Sequence, residues 1–230
     1  MKIIDINSIP RKIIANSREK ESLKKLNHSK KKWYILFFLI ACMAAASWLW
    51  FLYRKPIKSL KAEDEAFQAV YHFEAGDFDK ALKGDGVHKG LLEIIKAYPG
   101  TTTANLACFY TGIAYMHQKQ YDEALAFLSR FKAKDFILQA RAWSVMGDAH
   151  SEQKNHKQAA IYYMKAAHYK ENSVYSPGYL IKAAIAFETD GQYKQAYDCY
   201  QEIIAKYPTS HYSSSLAIKE SNRLSATLYL

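Results

Sequence analysis

Small residues recur at nearly constant spacing through the C-terminal half of the chain, and this period constrains the fold more than any other feature. One set is Gly112, Gly147 and Ala184, which are 35 and 37 residues apart. A second set, with the same spacings, is Ala124, Ala159 and Ala196. Each member of the first set is followed three positions later by an aromatic residue or a histidine. A period of about 20 to 50 residues predicts a solenoid of repeated supersecondary units.

This pattern resembles the tetratricopeptide repeat (TPR), a helix–turn–helix unit of about 34 residues. The resemblance implies that the first set lies in helix A of each unit and the second in helix B, where the two helices cross closely. Three residues match the aromatic position that begins helix B: Tyr121, His156 and Tyr193. Pro208 closes the last unit, because proline cannot continue a helix. The predicted fold is an all-α TPR solenoid.

The repeats also predict how residues 62–230 are organised. The solenoid covers residues 62–210, and its units are 62–100, 105–138, 140–173 and 177–210. The first unit is longer and degenerate, because Lys83-Gly-Asp-Gly86 interrupts its helix B. Residues 211–230 have apolar residues at helical spacing, so we expect a capping helix over the last repeat.

An uncharged apolar run precedes the repeats. Residues 33–53, WYILFFLIACMAAASWLWFLY, are 21 residues without a charge. As a helix they would span roughly 31 Å, close to the hydrocarbon thickness of a bilayer at about 30 Å. Aromatic residues near both ends suit the two membrane interfaces. The run predicts a single transmembrane helix, followed by a linker at residues 54–61.

Most of the net charge of +10 lies before this run. Residues 1–32 form a basic tail with a net charge of +7, whereas residues 54–230 carry +3. Residues 14–32 hold seven Lys and Arg residues, against four in residues 54–72. The positive-inside rule then predicts a cytoplasmic N-terminus and repeats across the membrane. The nearly balanced charge of the repeats argues against binding to nucleic acid.

Two other interpretations of the apolar run fit its residues less well. A cleaved signal peptide would have a shorter apolar region and a small-residue exit site, whereas this run ends in bulky aromatics. Leu39-Ile40-Ala41-Cys42 has the form of a bacterial lipobox, in which the cysteine is lipidated after cleavage. The long polar leader and the apolar residues after Cys42 argue against it, but lipidation of Cys42 stays an alternative.

The sequence shows no catalytic, metal-binding or cofactor-binding pattern. It contains no GxxxxGK[ST] phosphate loop and no metalloprotease histidine spacing. The cysteines Cys42, Cys108 and Cys199 form no CxxC; a disulfide between the last two is conceivable, but small core residues are the simpler interpretation. His150 and His156 occupy aromatic-type repeat positions, which packing explains. We predict a protein that is not an enzyme and uses no cofactor, metal or small-molecule substrate.

The TPR resemblance further implies a partner-binding groove, lined by helix-A residues at fixed offsets. These offsets identify nine candidates in this chain: Val70, Phe73, Phe109, Ile113, Met116, Arg141, Asp148, Ile181 and Ile185. A largely apolar groove with one polar rung suits an extended or helical apolar peptide. The alternative is that some of these residues face a neighbouring hairpin or are covered by the helix predicted at Ser210–Leu228. The Lys, Asn and Arg set that holds acidic chaperone tails is missing, so such docking is not expected.

The layout of basic tail, membrane helix and TPR domain resembles the membrane-anchored periplasmic TPR proteins of bacteria that associate with the Sec translocon. The resemblance implies a single-pass protein of the bacterial inner membrane, with its TPR domain in the periplasm. It implies protein partners: translocon subunits, periplasmic chaperones or secreted chains. The alternatives are a scaffold for envelope assembly or cell division, and a cytosol-facing receptor for precursor proteins.

Overall fold

The computed structural model describes the backbone of residues 11–228 and the side chains of 33, 34, 36–50, 57–212 and 215–228. The chain divides into two compact units, Met1–Pro56 and Ile57–Leu230. Helix α1, Arg11–Glu74, contributes residues to both. Residues 54–61 were predicted to be a linker, but their backbone is helical and falls within the bounds of α1.

In the first unit, α1 carries the apolar run. The large apolar side chains described between residues 33 and 50 are exposed, Trp33, Phe37 and Trp48 among them. Within the described residues, no helix combines the length and apolarity needed to cross a membrane. The predicted span also includes Ile35 and residues 51–53, whose side chains lie outside the described residues. Of the predicted basic tail, residues 1–10 lie outside the description and the remainder is helical.

The second unit is a stack of helical hairpins. The end of α1 pairs with two short helices, α2 (Phe78–Lys83) and α3 (Leu91–Ala97). Three regular hairpins follow: α4 (Thr102–His117) with α5 (Tyr121–Arg130), α6 (Phe136–Glu152) with α7 (His156–Ala167), and α8 (Ser176–Thr189) with α9 (Tyr193–Lys206). Within the described residues, this order gives helix A and helix B in alternation, as the repeat pattern predicts.

All four hairpins turn from helix A to helix B in the same way. One residue in each turn has a left-handed backbone, and these residues are Gly76, Lys119, Lys154 and Gly191, with φ between 58° and 79°. In each turn its amide donates to the carbonyl three residues earlier, and the next amide donates five residues back. This paired bonding satisfies carbonyls that would otherwise be free at the helix end. Two of the turns use lysine, although glycine adopts this conformation more easily.

The interrupted helix B of the first hairpin is organised around Asp85. Its carboxylate accepts hydrogen bonds from the backbone amides of Val87, at 2.9 Å, and His88, at 2.7 Å. The His88 Nδ1 atom lies 2.8 Å from the same side chain. These bonds, the His88 amide first, hold the pKa of Asp85 well below its usual range. Gly90 is required because a Cβ there would lie 2.3 Å from the Leu82 carbonyl oxygen.

The recurring small residues are where the helices of each hairpin come closest. A Cβ on Gly112 would meet the Leu128 side chain at 2.5 Å, and one on Gly147 would meet the Tyr163 ring at 2.6 Å. The helix-B alanines of the second set are fully buried. Two apolar clusters result, one from α1 to α6 and one from α7 to the C-terminal helix. Close crossing is therefore the physical reason for the period in the sequence.

The C-terminal end of the stack is covered. A π-helical turn, Ser213–Ala217, leads into helix α10, Ile218–Leu228, which packs on α9. Leu224 is fully buried in the second cluster. Arg223 pairs with Glu188 of α8, which links the cap to the preceding helix A. The described part of the predicted capping region thus lies over the last hairpin.

Candidate functional site

The candidate site is the surface formed by the predicted groove positions of α1, α4, α6 and α8, called here the helix-A surface. Two of its nine residues, Arg141 and Ile185, are exposed. Five are half-buried: Val70, Phe73, Ile113, Met116 and Asp148. The helix-A surface is thus a row of partly accessible side chains running through all four hairpins.

Phe109 and Ile181 were predicted to line the groove, but they are core residues. Their exposed fractions are 5% and 7%. The Phe109 ring lies 5.1 Å from the Phe131 ring at the end of helix B of the same hairpin. Ile181 belongs to the second apolar cluster. At these two positions, the side of helix A that the fixed offset selects packs against neighbouring helices. Phe109 and Ile181 therefore present little surface to a partner.

The N-terminal part of the helix-A surface is aromatic. The Phe73 ring at the end of the first helix A lies 4.9 Å from the Tyr110 ring of α4 and 5.7 Å from the Phe78 ring of α2. Such spacings are favourable for aromatic pairs. The junction between the first two hairpins is therefore apolar, and half-buried Ile113 and Met116 extend it along α4.

The C-terminal part of the helix-A surface is charged. The Lys182 ammonium on α8 lies 2.8 Å from one oxygen of Asp148 on α6 and 3.1 Å from the other. Asp148 also accepts a hydrogen bond of 2.7 Å from the Tyr163 hydroxyl. Burial, together with the nearby Asp148 charge, raises the pKa of Tyr163 far above its usual value. Asp148 is thus occupied within the protein, and Arg141 is the more accessible charge of this part.

Sequence reasoning did not identify Lys182 or Tyr163. Lys182 occupies the helix-A position that Tyr110 holds two hairpins earlier, two residues before the small position. This position points to the preceding helix A in both cases, as the Phe73–Tyr110 and Asp148–Lys182 contacts show. Comparing the residues at this position from one repeat to the next would have identified Lys182 as a contact residue.

A second polar cluster lies outside the helix-A surface. Ligand atoms of His168, Glu171 and Glu202 all lie within 4.8 Å of one another, a spacing that could hold a metal ion. The Lys206 ammonium lies 2.9 Å from Glu202 and 3.2 Å from Glu171. Burial by itself would raise the pKa of Glu202, but hydrogen bonds from Lys206 and His168 lower it. We interpret the cluster as an ion-pair network that ties α9 to the end of α7.

The two repeat cysteines are free and buried. Cys108 lies in the first apolar cluster and Cys199 in the second, so the conceivable disulfide between them is not formed. Burial raises the pKa of the Cys199 thiol to about 12, and it also raises the pKa of Cys108. Because the thiolate is the nucleophilic form, neither residue is activated for covalent chemistry.

These hairpins carry the sequence signature of a known repeat. The tetratricopeptide repeat family model matches residues 107–135 and 179–210, which fall in the second and fourth hairpins. The chain therefore contains TPR repeats in an all-helical, solenoid-like fold, the architecture of a protein-interaction scaffold. A comparison with curated proteins finds no significant match.

Solved structures show the same fold. The crystal structure of MamA matches with a TM-score of 0.53 and 20% identity, over 70% of this chain and 85% of that one. A kinesin light chain protein of Podosopora anserina with nearly identical TPR-like repeats matches with a TM-score of 0.55 and 14% identity. That match covers 74% of this chain and 87% of the other. At these identities the similarity establishes the fold alone.

Proposed function

We propose that this chain is a membrane-anchored accessory subunit of the Sec translocon, whose TPR domain holds secreted or membrane proteins in the periplasm. The observation that supports the client-binding part is the helix-A surface. Ile185 on α8 is 54% exposed, Arg141 on α6 is exposed, and half-buried apolar residues line α1 and α4. A surface of this kind can bind an apolar segment and orient it by one charge.

The apolar run supports the anchor. Its residues are uncharged over 21 positions, and the described large side chains are exposed around the helix. A helix that is apolar on all sides needs an apolar environment, which a bilayer provides. The lysines before the run favour a cytoplasmic N-terminus, which would place the repeats in the periplasm.

The client-binding part is tested by photo-crosslinking in membranes. A photoreactive phenylalanine analogue replaces Ile185 on the helix-A surface or, as a matched control, Ile161 on α7, which is 48% exposed. We expect crosslinks to translocon subunits or to a secreted chain arrested during export from position 185 and not from position 161. Equal crosslinking from both positions would refute a specific role of the helix-A surface.

The topology is tested separately. Cys108 and Cys199 are buried, so a cysteine introduced at exposed Lys157 is the reporter in a Cys42→Ser background. We expect a membrane-impermeant maleimide to label it in intact spheroplasts, and alkaline carbonate to leave the protein in the membrane. Labelling only after lysis would instead favour the cytosol-facing receptor.

A scaffold for envelope assembly or cell division is the second candidate. It rests on the same fold and the same surface, and it differs only in the partner. Crosslinks from position 185 to cell-wall enzymes or outer-membrane assembly proteins, with no translocon subunit, would favour this function over the first.

A further inference from the structure

In the part of the chain that the structure describes, the first helix A carries an exposed apolar stripe. Ile57, Leu60, Phe67 and Tyr71 lie on one side of α1, and their exposed fractions are 66%, 68%, 71% and 58%. This set is called the α1 stripe. Val87, which lines the same surface hollow as Phe67, is also exposed. Single exposed apolar residues are common, but several large ones along one side of a helix mark an interaction surface.

The other repeats show what this face normally does. Tyr71 stands two residues after the small position of its helix A, where the later repeats have Ala114, Ala149 and Ala186. Those alanines are buried, with exposed fractions of 0%, 0% and 4%. Helices α4, α6 and α8 each pack against the helix that precedes them. The α1 stripe is therefore the continuation of the repeat-to-repeat interface on the first hairpin that the structure describes.

The spacing of the α1 stripe points to a helix as its occupant. Positions 57, 60, 64, 67 and 71 advance by alternating steps of three and four, and all but Asp64 are large and apolar. This alternation, an average of about 3.5 residues, is the repeat of a coiled-coil seam, which buries its apolar positions against another helix. Asp64 is exposed at the centre of the row.

The opposite end of the stack restricts which assembly is possible. The exposed side chains of α10 are polar at Lys219, Asn222 and Thr227 and apolar at Ile218, and the buried side of the helix covers α9. The apolar face of the last hairpin is already covered within the chain, so a head-to-tail chain of copies is disfavoured. A face that meets its own copy gives a closed two-fold pair.

We propose that two copies of this chain pair through the α1 stripe, with their α1 helices side by side about a two-fold axis. This inference does not depend on the proposed function. Asp64 lies midway between positions 57 and 71, so it meets the partner's Asp64 whether the helices run parallel or antiparallel. Two like charges at the centre weaken the pair.

The buried area sets the expected strength. Pairing would bury four side chains from each copy, or roughly 800 Å² for the two copies together. A large aromatic side chain buries about 150–250 Å² when it is fully covered, and the side chains of the α1 stripe are already partly covered. Stable complexes bury roughly 1,200–2,000 Å². The pair is therefore weak in solution, and confinement of both copies to one surface would strengthen it by raising their effective concentration.

The contact is tested by cysteine crosslinking of the full chain in mild detergent. In a Cys42→Ser background, Asp64→Cys places the thiols of two copies near the axis in either orientation. We expect oxidation to give a disulfide-linked dimer, whereas Ile161→Cys, the matched exposed position on α7, stays monomeric. Adding Phe67→Glu and Tyr71→Glu should abolish the Asp64→Cys crosslink without loss of helical circular dichroism, because both side chains are exposed.

Sedimentation provides the second measurement. Asp64→Leu should lower the dissociation constant of the pair at least about tenfold, because it replaces the central charge with an apolar contact. A chain that stays monomeric with Asp64→Leu overturns the proposal. Crosslinking from position 64 that survives Phe67→Glu with Tyr71→Glu also overturns it, because the pair would then not use the stripe.

Discussion

The two ends of the repeat stack differ in how their apolar faces are treated. At the C-terminal end, α10 covers the last hairpin and buries Leu224 completely. At the N-terminal end, Phe67 and Tyr71 remain exposed on α1. Repeat proteins need a polar outer face at a terminal repeat to stay soluble. The C-terminal end therefore stabilises the fold by burying its apolar face within the chain, whereas the N-terminal end leaves apolar surface accessible to a partner.

The largest expected effect is at the covered end. Leu224→Ala should lower the free energy of unfolding by about 2–5 kcal/mol, because it removes a fully buried leucine and leaves a cavity. Phe67→Ala, at the open end, should change it by at most about 0.5 kcal/mol when the chain is monomeric, because the side chain is exposed. Urea unfolding followed by circular dichroism measures both. If the two variants lost the same free energy of unfolding, the two ends would not differ in how much their apolar residues contribute to stability.

A smaller effect is expected at the charged junction. Asp148→Ala should cost about 1.5–3 kcal/mol, because it removes an acceptor that is charged and serves both Lys182 and the buried Tyr163 hydroxyl. Lys182→Met is the matched variant, since it removes the contacts of the half-exposed ammonium and leaves the Tyr163 bond to Asp148 in place; we expect a cost of at most about 1 kcal/mol. If the two variants lose the same stability, the Tyr163 bond contributes nothing and the junction depends on the ion pair.

The smallest effect is a change of pH dependence at His150 on α6. Burial lowers the pKa of this imidazole below its usual value of about 6.5, and within the described residues its Nδ1 atom has no hydrogen-bond partner. The unfolded chain therefore binds this proton more readily, so the free energy of unfolding falls as the pH drops below about 6.5. His150→Phe preserves the stacking on the Tyr162 ring, whose centroid lies 5.3 Å away. Phenylalanine is also the residue at the equivalent position of the next repeat, Phe187.

We expect His150→Phe to flatten the decline in stability between pH 7 and pH 5, measured by urea unfolding at several pH values. The comparison of variant with wild type isolates this residue, since the remaining histidines are common to both. Parallel curves for the two proteins would mean that His150 titrates alike in the folded and unfolded states.

Local patterns in the sequence predicted the repeats well and the sites less well. The small residues at Gly112 and Gly147 mark close helix crossings, because a side chain there would overlap Leu128 or Tyr163. The groove offsets, by contrast, placed Phe109 and Ile181 on a surface, although neighbouring helices bury them. An offset states which side of a helix a residue occupies, but the angle of the adjacent helix decides whether that side is covered.

The sequence by itself determined the period and the helical class, because close packing admits only small residues at fixed intervals and these can be read directly. Tertiary structure alone decided that residues 54–61 continue α1 and that Lys182 pairs with Asp148. It also decided that Lys119 and Lys154 adopt the left-handed turn that glycine adopts in the other two hairpins. These features depend on contacts between residues distant in the chain or on hydrogen bonds of the backbone. Neither can be predicted from the type of a single residue.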